Sequence, residues 1–301
     1  MIDICYKLIQ RHWGRGDRLF VYRAVKLFLN LFYPVYARST VPKGVDPHAS
    51  IIVSLTTFPA RIDNVHIVIH CLLRQKLRPA RVQLWLADEQ FPERKIPKQL
   101  RKLERYGLEI HYCDDLRSHK KYYYAMKENP EAIVVTADDD TFYPESWLLK
   151  LVNTSKQYPG SIVCMLAHKI LCDADGTPLP YTQWSSAERA VVEPQMSLMP
   201  VGCEGVLYPP HSLHPDLFDK DFFMTACRNA DDLWLKAMSL LQGVAVMPAE
   251  QHPYTYVNLL TANRGALNAT NVAQNENDVQ LKNILARYSD LLTHLPRGEQ
   301  T

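Results

Sequence analysis

Residues 132–140 read AIVVTADDD and carry the clearest fold signal in the sequence. Its first part, Ala132–Thr136, is a short apolar run rich in β-branched residues, which is typical of a strand buried inside a parallel sheet. The run leads directly into three consecutive carboxylates, Asp138-Asp139-Asp140, called the acidic triplet below. The stretch therefore predicts an internal strand whose carboxyl end carries an acidic cluster.

The segments on both sides of this stretch alternate between a strand pattern and a helix pattern. Strands are predicted at Ser50–Leu55, Val82–Leu86, Leu108–Tyr112 and Ser161–Met165, and helices at Ile62–Gln75, Pro97–Tyr106, Lys121–Glu128 and Trp147–Lys156. Alternation of this kind, with short connections, predicts an α/β fold with a mostly parallel sheet and helices on both faces.

Two polar clusters follow predicted strands of this sheet. Thr56–Arg61 comes after the first strand, and the acidic triplet comes after the fourth. Open parallel sheets bind their ligands outside the carboxyl ends of the strands. We therefore expect the two clusters to line one crevice, although they are far apart in the sequence.

The pattern changes from about residue 172 onward. Pro, Gly and aromatic residues become frequent, which indicates loops and antiparallel strands inserted over the crevice; they lie in Pro178–Trp184, Pro200–Pro210 and His211–Phe218. A helix is then predicted at Ala230–Leu241, a strand at Val244–Met247 and a final amphipathic helix at Asp278–Leu292.

The acidic triplet has a specific electrostatic problem. Three adjacent carboxylates repel one another, and no Lys or Arg lies within several residues on either side. A divalent cation would relieve the repulsion, and carboxylate oxygens together with diphosphate oxygens suit Mg²⁺ or Mn²⁺. A solvated acidic turn or a helix cap is the structural alternative. The position after an internal strand favours a metal and ligand site.

Charge and cysteine content exclude some classes of function. The 301 residues carry a formal net charge of +2, which argues against a general nucleic-acid binder. Residues 1–43 contain eight basic and two acidic side chains, a net +6, so the remainder carries −4. The seven cysteines form no CxxC pair, which favours reduced thiols, a cytoplasmic location and no zinc site.

The N-terminal segment is basic and apolar at once. Arg23 and Lys26 interrupt the run Phe20–Ala37, and Pro34 is expected to kink it, so it fits neither a signal peptide nor a spanning helix. Two interpretations stay open: a helix lying on the anionic inner face of the cell membrane, or a helix packed on the main domain. We predict a basic, amphipathic and helical N-terminal extension at 1–45 and a single catalytic domain at 46–301.

An ordered set of motifs resembles the bacterial GT-A glycosyltransferases of polysaccharide biosynthesis. SLTTFPARI at Ser54–Ile62 is similar to the start of their catalytic domains, and IVVTADDDTFYPESWL at Ile133–Leu148 is similar to their strand and DxD motif. ADDLWLKAM at Ala230–Met238 follows in the same order, and the resemblance covers roughly residues 50–285. The resemblance implies a GT-A (Rossmann-like) fold and a nucleotide-sugar donor.

The resemblance also implies roles for individual residues. On the donor side these are nucleotide contacts at Thr56, Thr57 and Arg61, diphosphate contacts at Lys121 and Lys120, ribose and metal contacts at Asp138 and Asp139, and the principal metal ligand at Asp140. His252 would be a further metal ligand, because transferases of this fold often use a late histidine. In an inverting enzyme of this fold, Asp231 or Asp232 would be the general base that deprotonates the acceptor hydroxyl; in a retaining enzyme the same carboxylate would only position the substrate.

Each of these positions also has a structural interpretation. Lys120 and Lys121 would begin a solvated helix, Asp231-Asp232 would cap one, and His252 would be structural. Glycines at 202 and 205 would serve turns or a close approach to the donor sugar. Trp184 and Tyr208 would be core aromatics or would stack on a sugar.

Taken together, the sequence predicts a metal-dependent glycosyltransferase that acts on a glycan or a lipid-linked glycan acceptor. A nucleotidyltransferase would share the sheet and the carboxylates, but it normally has a Gly-rich loop after the first strand, and Thr56–Arg61 contains no Gly. A non-catalytic membrane-associated binding subunit is the third possibility.

Overall fold

A computed structural model describes residues 1–186, 191–249, 256–262 and 275–295. Its helices are α1 Ile2–Arg11, α2 Arg18–Ser39, α3 Ile62–Leu72, α4 Lys98–Arg101, α5 Lys120–Glu128, α6 Trp147–Gln157, α7 Lys220–Ala226, α8 Asp231–Leu241 and α9 Glu276–Arg287. Its strands are β1 Ile51–Thr56, β2 Arg81–Ala87, β3 Leu108–Cys113, β4 Ile133–Thr136, β5 Ile162–Cys164, β6 Ala167–Lys169, β7 Ser185–Ser186, β8 Leu198–Pro200, β9 Val206–Tyr208 and β10 Val246–Pro248. Short 3₁₀ helices lie at Glu104–Tyr106, Arg117–His119, Tyr181–Gln183, Gly202–Glu204, Pro215–Phe218 and Ser289–His294.

Seven strands form the central sheet in the order β10-β5-β9-β4-β1-β2-β3. All neighbouring pairs are parallel except those made by β9, which runs antiparallel to both β4 and β5. The alternating side chains of the strands feed two cores, one on each face of the sheet. Helices α1, α2, α3 and α6 contribute to one core, and α5, α7, α8 and α9 contribute to the other. The predicted α/β class, with a mostly parallel sheet, helices on both faces and an N-terminal helical segment, is confirmed.

Three details differ from the sequence prediction. Val206–Tyr208 lies in the central sheet between β4 and β5, because its apolar side chains supply both cores, and does not lie over the crevice. The predicted helix at Pro97–Tyr106 is only α4 followed by a 3₁₀ turn, which Gly107 ends with a φ of 98°. The N-terminal helix α1 has no counterpart among the predicted elements.

A small antiparallel sheet has the order β7-β6-β8. Antiparallel strands are expected after residue 172, and β7 and β8 lie there, whereas β6 precedes that region. All seven cysteines are free, as their spacing indicates.

Helices α1 and α2 pack against the sheet-bearing part of the chain. Buried Tyr6 donates its hydroxyl to the Phe142 carbonyl at 2.8 Å and accepts from the Val257 amide at 2.7 Å. Tyr33 of α2 lies 3.2 Å from His70 of α3. The packed arrangement, one of the two expectations for Phe20–Ala37, is thus observed, and α2 continues through Pro34. In the described part of the chain, no helix has both the length and the apolar character needed to cross a bilayer.

Candidate active site

The loops after β1 and β4 meet at one edge of the sheet. The two strands are parallel neighbours, with Ser54 opposite Thr136, so their carboxyl ends lie side by side. Thr57 donates its hydroxyl to Asp139 Oδ2, and Arg61 Nη1 donates to Asp139 Oδ1 at 2.7 Å. The structure therefore brings together the two polar clusters that the sequence places at these strand ends.

Arg61 is a counter-charge that the local sequence around the acidic triplet does not reveal. Besides Asp139 it donates to Asp140 Oδ2 at 2.8 Å, and its other terminal nitrogen donates to the Ala262 carbonyl. All three charged side chains are close to buried, with 10% of Arg61, 7% of Asp139 and 12% of Asp140 exposed. The triplet has no basic neighbour in the sequence, and the fold supplies one from the loop after β1, as expected if the two polar clusters line one crevice.

Lys121 supplies a second positive charge and joins two acidic motifs. Its ammonium lies 2.9 Å from Asp138 Oδ1 and 3.0 Å from Asp231 Oδ2, and its side chain is 6% exposed. Ser54 of β1 donates its hydroxyl to the Lys121 carbonyl at 2.5 Å, which fixes the first turn of α5 against the sheet. One buried cation thus bridges the triplet and the Asp231-Asp232 motif, called the acidic pair below.

The two members of the acidic pair have different surroundings. Asp231 is buried at the start of α8 and forms the ion pair with Lys121. Asp232 is only partly buried, and its Oδ2 accepts from the Gly202 amide at 2.9 Å. A Cβ on Gly202 would lie 2.5 Å from Asp232 Oδ1 and 3.2 Å from Lys121 Nζ. The close approach of backbone and carboxylate therefore requires glycine at position 202.

The pKa values of the carboxylates follow these partners. Burial, followed by repulsion from Asp138 and Asp139, raises the pKa of Asp140 to about 7. Burial, followed by repulsion from Asp231, likewise raises the pKa of Asp232 to about 7. Burial acts on Asp231 as well, but the opposing charges of Lys121 and His119 lower its pKa overall. Each motif thus contains one carboxylate that is balanced between its charged and neutral forms near neutral pH.

Tyr143 and Thr141 hold the triplet against the Gly202–Glu204 turn. The Asp138 amide donates to the Tyr143 hydroxyl at 2.8 Å, and that hydroxyl donates to the Cys203 carbonyl at 3.1 Å. The Thr141 hydroxyl lies 3.2 Å from the same carbonyl. The sequence analysis does not identify either residue, although both lie close after the triplet. The reason is that sequence order does not show which side chains point toward the triplet backbone and the Cys203 carbonyl.

A segment from the C-terminal half, Tyr256–Ala262, runs alongside the triplet and is called the 256–262 segment below. The Leu259 amide donates to the Asp140 carbonyl at 2.7 Å, and the Phe142 amide donates to the Val257 carbonyl at 2.9 Å. Asn30 of α2 holds the same segment: its side-chain oxygen accepts from the Leu260 amide at 2.8 Å. The segment therefore connects the N-terminal helices with the backbone of the triplet.

Some predicted site residues lie elsewhere. The Thr56 hydroxyl donates to the Trp85 carbonyl at 2.9 Å, within the sheet. Lys120 pairs with Asp115 at 2.5 Å, which uses its charge away from the triplet. Trp184 and Tyr208 are buried core aromatics. His252 lies outside the described residues.

The charges of the cluster suit a divalent cation. Within the described residues, five carboxylates from the two acidic motifs face two cations, Arg61 and Lys121. No group of three His, Cys, Asp or Glu side chains there is arranged to hold a metal. Magnesium, however, is commonly held by one or two carboxylates together with the phosphates of its substrate. Asp138 and Asp140, whose charges are only partly balanced, fit that kind of site.

Comparisons with known proteins give similarity of structure only. No protein-family model matches the sequence, and no curated protein matches it either.

Among solved structures, the chain is similar to the mannosyltransferase PcManGT from Pyrobaculum calidifontis in complex with GDP-Man and Mn²⁺. The identity is 12%, the TM-score is 0.46, and the match covers 90% of this chain and 74% of that one. It is similar to residues 1–349 of TarS from S. aureus in complex with UDP, at 12% identity and a TM-score of 0.41; the match covers 69% of this chain and 59% of that fragment. A CMP:2-keto-3-deoxy-manno-octonic acid synthetase complexed with CTP also matches, at 12% identity and a TM-score of 0.40, over 75% of this chain and 99% of that one. Likenesses this weak assign no activity, so the function rests on the residues of the site.

Proposed function

We propose that the protein is a metal-dependent glycosyltransferase that moves a sugar from a nucleotide-sugar donor to a hydroxyl of a glycan or lipid-linked glycan. The observation that carries the proposal is the buried ammonium of Lys121, which bridges Asp138 of the triplet and Asp231 of the pair. This bridge holds a candidate donor site and a candidate base next to each other. Glycosyl transfer with inversion uses both at one reacting carbon.

On the donor side, Asp138 and Asp140 are the proposed metal ligands, together with the diphosphate of the donor. A bound divalent cation would neutralise the charge that develops on the departing nucleoside diphosphate. Arg61 and Thr57 act through the carboxylates: they hold Asp139, and Arg61 also holds Asp140. The nucleotide would lie over the Thr56–Arg61 loop, and His252 stays a proposed additional ligand.

On the acceptor side, Asp232 is the proposed general base. Asp232 as a residue is partly exposed, the Gly202 amide orients its carboxylate, and its pKa is raised to about 7, which suits proton abstraction near neutral pH. The acceptor hydroxyl gives its proton to Asp232 while its oxygen forms a bond to the anomeric carbon. The bond from that carbon to the diphosphate oxygen breaks, and its electron pair leaves with the nucleoside diphosphate. Asp231 is a positioning residue, because its carboxylate forms an ion pair with Lys121.

The cellular setting is part of the proposal. The excess of positive charge in residues 1–43 would favour the anionic cytoplasmic face of a membrane, where lipid-linked precursors of cell-surface polysaccharide are available. Lys120 has no part in the proposed site, because its partner is Asp115.

The direct test is release of nucleotide from a panel of UDP-, GDP- and CMP-sugars, with Mn²⁺ or Mg²⁺ and with or without chelator. We expect turnover of one donor that the chelator abolishes. Asp140→Asn should reduce turnover to background and leave the thermal melt in metal-free buffer unchanged or higher, because it removes a buried charge whose pKa is raised. Asp221→Asn, an exposed carboxylate of α7, is the matched control and should behave like wild type.

Three results would overturn the proposal. Pyrophosphate release from a nucleoside triphosphate and a sugar phosphate would show a nucleotidyltransferase. Donor binding without turnover would show a binding subunit. Unfolding of Asp140→Asn in metal-free buffer would show that the triplet is structural.

A further inference from the structure

Helix α2 has two apolar faces, and the part of the chain that the structure describes covers one of them. Val25, Leu29 and Tyr33 are buried against the rest of the protein. On the opposite side, Phe20, Leu27, Leu31 and Val35 are 75%, 54%, 58% and 63% exposed. Their spacing of seven, four and four residues places these side chains in one stripe along the helix. Within the described residues, this stripe is not covered by the packing of the domain.

The exposed apolar residues of the molecule are concentrated here. Of fourteen large hydrophobic residues that are exposed in the described part of the chain, eleven lie between Met1 and Val41. A twelfth, Leu260, is 61% exposed and has its amide bonded to Asn30 of α2. A contiguous exposed apolar surface usually marks a site of interaction with a protein or a membrane.

The charges around this surface distinguish between these partners. Six basic side chains of the same two helices and their connection are exposed: Lys7, Arg11, Arg15, Arg18, Arg23 and Arg38. The exposed acidic side chain of the segment, Asp17, is engaged by His12 at 2.9 Å. A segment that exposes both apolar side chains and several cations matches a surface that offers anionic groups above a hydrocarbon layer, which is an anionic lipid bilayer.

We propose that the exposed face of α1 and α2, together with Leu260, is a docking surface for an anionic lipid bilayer. Helix α2 lies in the plane of the interface, because Tyr33 and Asn30 keep its other face attached to the domain. The 22-residue helix is about 33 Å long and presents its stripe over most of that length. Arg23 and Arg38 extend from the apolar stripe to the headgroups.

The docking surface also determines how close the active site lies to the bilayer. Leu260, at the edge of the surface, is the next residue after Leu259, whose amide bonds to the Asp140 carbonyl. In the proposed arrangement, the backbone of the acidic triplet contacts Leu259, and the next residue, Leu260, contacts the bilayer. If the proposed function holds, on which this step rests, the acceptor class is a glycan carried on a lipid rather than a free glycan.

The test is co-sedimentation of the full-length protein with vesicles of phosphatidylcholine alone or with 30% phosphatidylglycerol. We expect binding to the anionic vesicles that falls steeply with added salt. Leu27→Gln/Leu31→Gln should weaken partitioning by about tenfold or more, because two apolar side chains no longer enter the interface. Val279→Gln replaces a comparably exposed residue on the distant helix α9 (58%) and should bind as wild type does. A thermal melt checks that the double variant is folded.

Wild-type-like partitioning of the folded double variant, or equal binding to neutral vesicles, would overturn the proposal. So would a dimer of the wild type that the double variant dissociates while lipid binding stays unchanged, because a second copy would then cover the face. Donor turnover in vesicle-free buffer is measured separately. Its absence in a wild type that binds anionic vesicles contradicts the proposed function and leaves the docking surface standing.

Discussion

The acidic triplet and the acidic pair look alike in the sequence, as runs of adjacent carboxylates, but the structure treats them differently. In the triplet, the guanidinium of Arg61 is divided between Asp139 and Asp140, and burial raises the pKa of both carboxylates. In the pair, Lys121 lowers the pKa of Asp231, whereas the pKa of Asp232 is raised. The triplet has more negative charge than its partners balance, and the pair has one balanced and one unbalanced member.

Carboxylates that are adjacent in the sequence are therefore not equivalent in the structure. A side chain's partner comes from a distant segment, and that partner decides whether it is a fixed anion or a group that can exchange a proton or bind a cation. The triplet is thus suited to an additional cation. The pair is suited to one base beside one structural anion.

The largest expected effect separates the two members of the pair. Asp232→Asn should lower kcat by about 10²–10⁴-fold, the usual contribution of a general base, with little change in the thermal melt. Asp231→Asn should instead cost about 2 kcal/mol in the free energy of unfolding, because a buried charged contact to Lys121 is lost. Steady-state kinetics and denaturant unfolding of both variants check this. Equal kinetic losses for the two substitutions would contradict the division of roles.

The sequence predicts the strands and helices that carry this site but not which side chains contact one another. β-branched runs and helical spacing are local signals, so β1, β4 and α5 are found within one or two residues of their observed bounds. Placing Thr57 and Arg61 near the triplet also succeeds, because parallel strands bring their carboxyl ends to one edge.

Other contacts depend on side-chain direction, which no spacing encodes. Lys120 and Lys121 are adjacent helical residues, yet one faces Asp115 and the other faces Asp138. The turn at Gly202 is within reach of the acidic pair only because β8 and α8 pack together. Helix α2 shows a further limit of sequence analysis. From the sequence, packing on the domain and contact with a membrane are alternatives. In the structure, one apolar face of α2 packs on the domain and the other is exposed, so the two are compatible.

A smaller effect is expected from filling the space between the backbone and the pair. Gly202→Ala puts a methyl group against Asp232 Oδ1 and Lys121 Nζ, so it should displace the carboxylate and destabilise the fold by about 1–3 kcal/mol, as overpacking does. Expressed as free energies, the increase in the activation barrier should exceed the decrease in the free energy of unfolding, because the Gly202 amide no longer orients Asp232. Gly16→Ala, where an added methyl group meets nothing within 4 Å, is the control. Indistinguishable activity of the two variants would show that Asp232 does not need this position.

The smallest expected effect tests the triplet through the N-terminal helices and leaves the pair untouched. Asn30→Ala removes the amide that holds the 256–262 segment at Asn258 and Leu260, at a cost of about 1 kcal/mol for the lost hydrogen bonds. Because the Leu259 amide supports the Asp140 carbonyl, we expect a several-fold increase in the Mn²⁺ concentration for half-maximal activity, with the pH dependence set by Asp232 unchanged. The matched control is Asn283→Ala, which removes a single amide-to-carbonyl contact from α9 to Ala226. If both variants shift the metal titration equally, the change reflects a general destabilisation of the fold. A shift confined to Asn30→Ala would show that the 256–262 segment connects helices α1 and α2 with the donor side of the site.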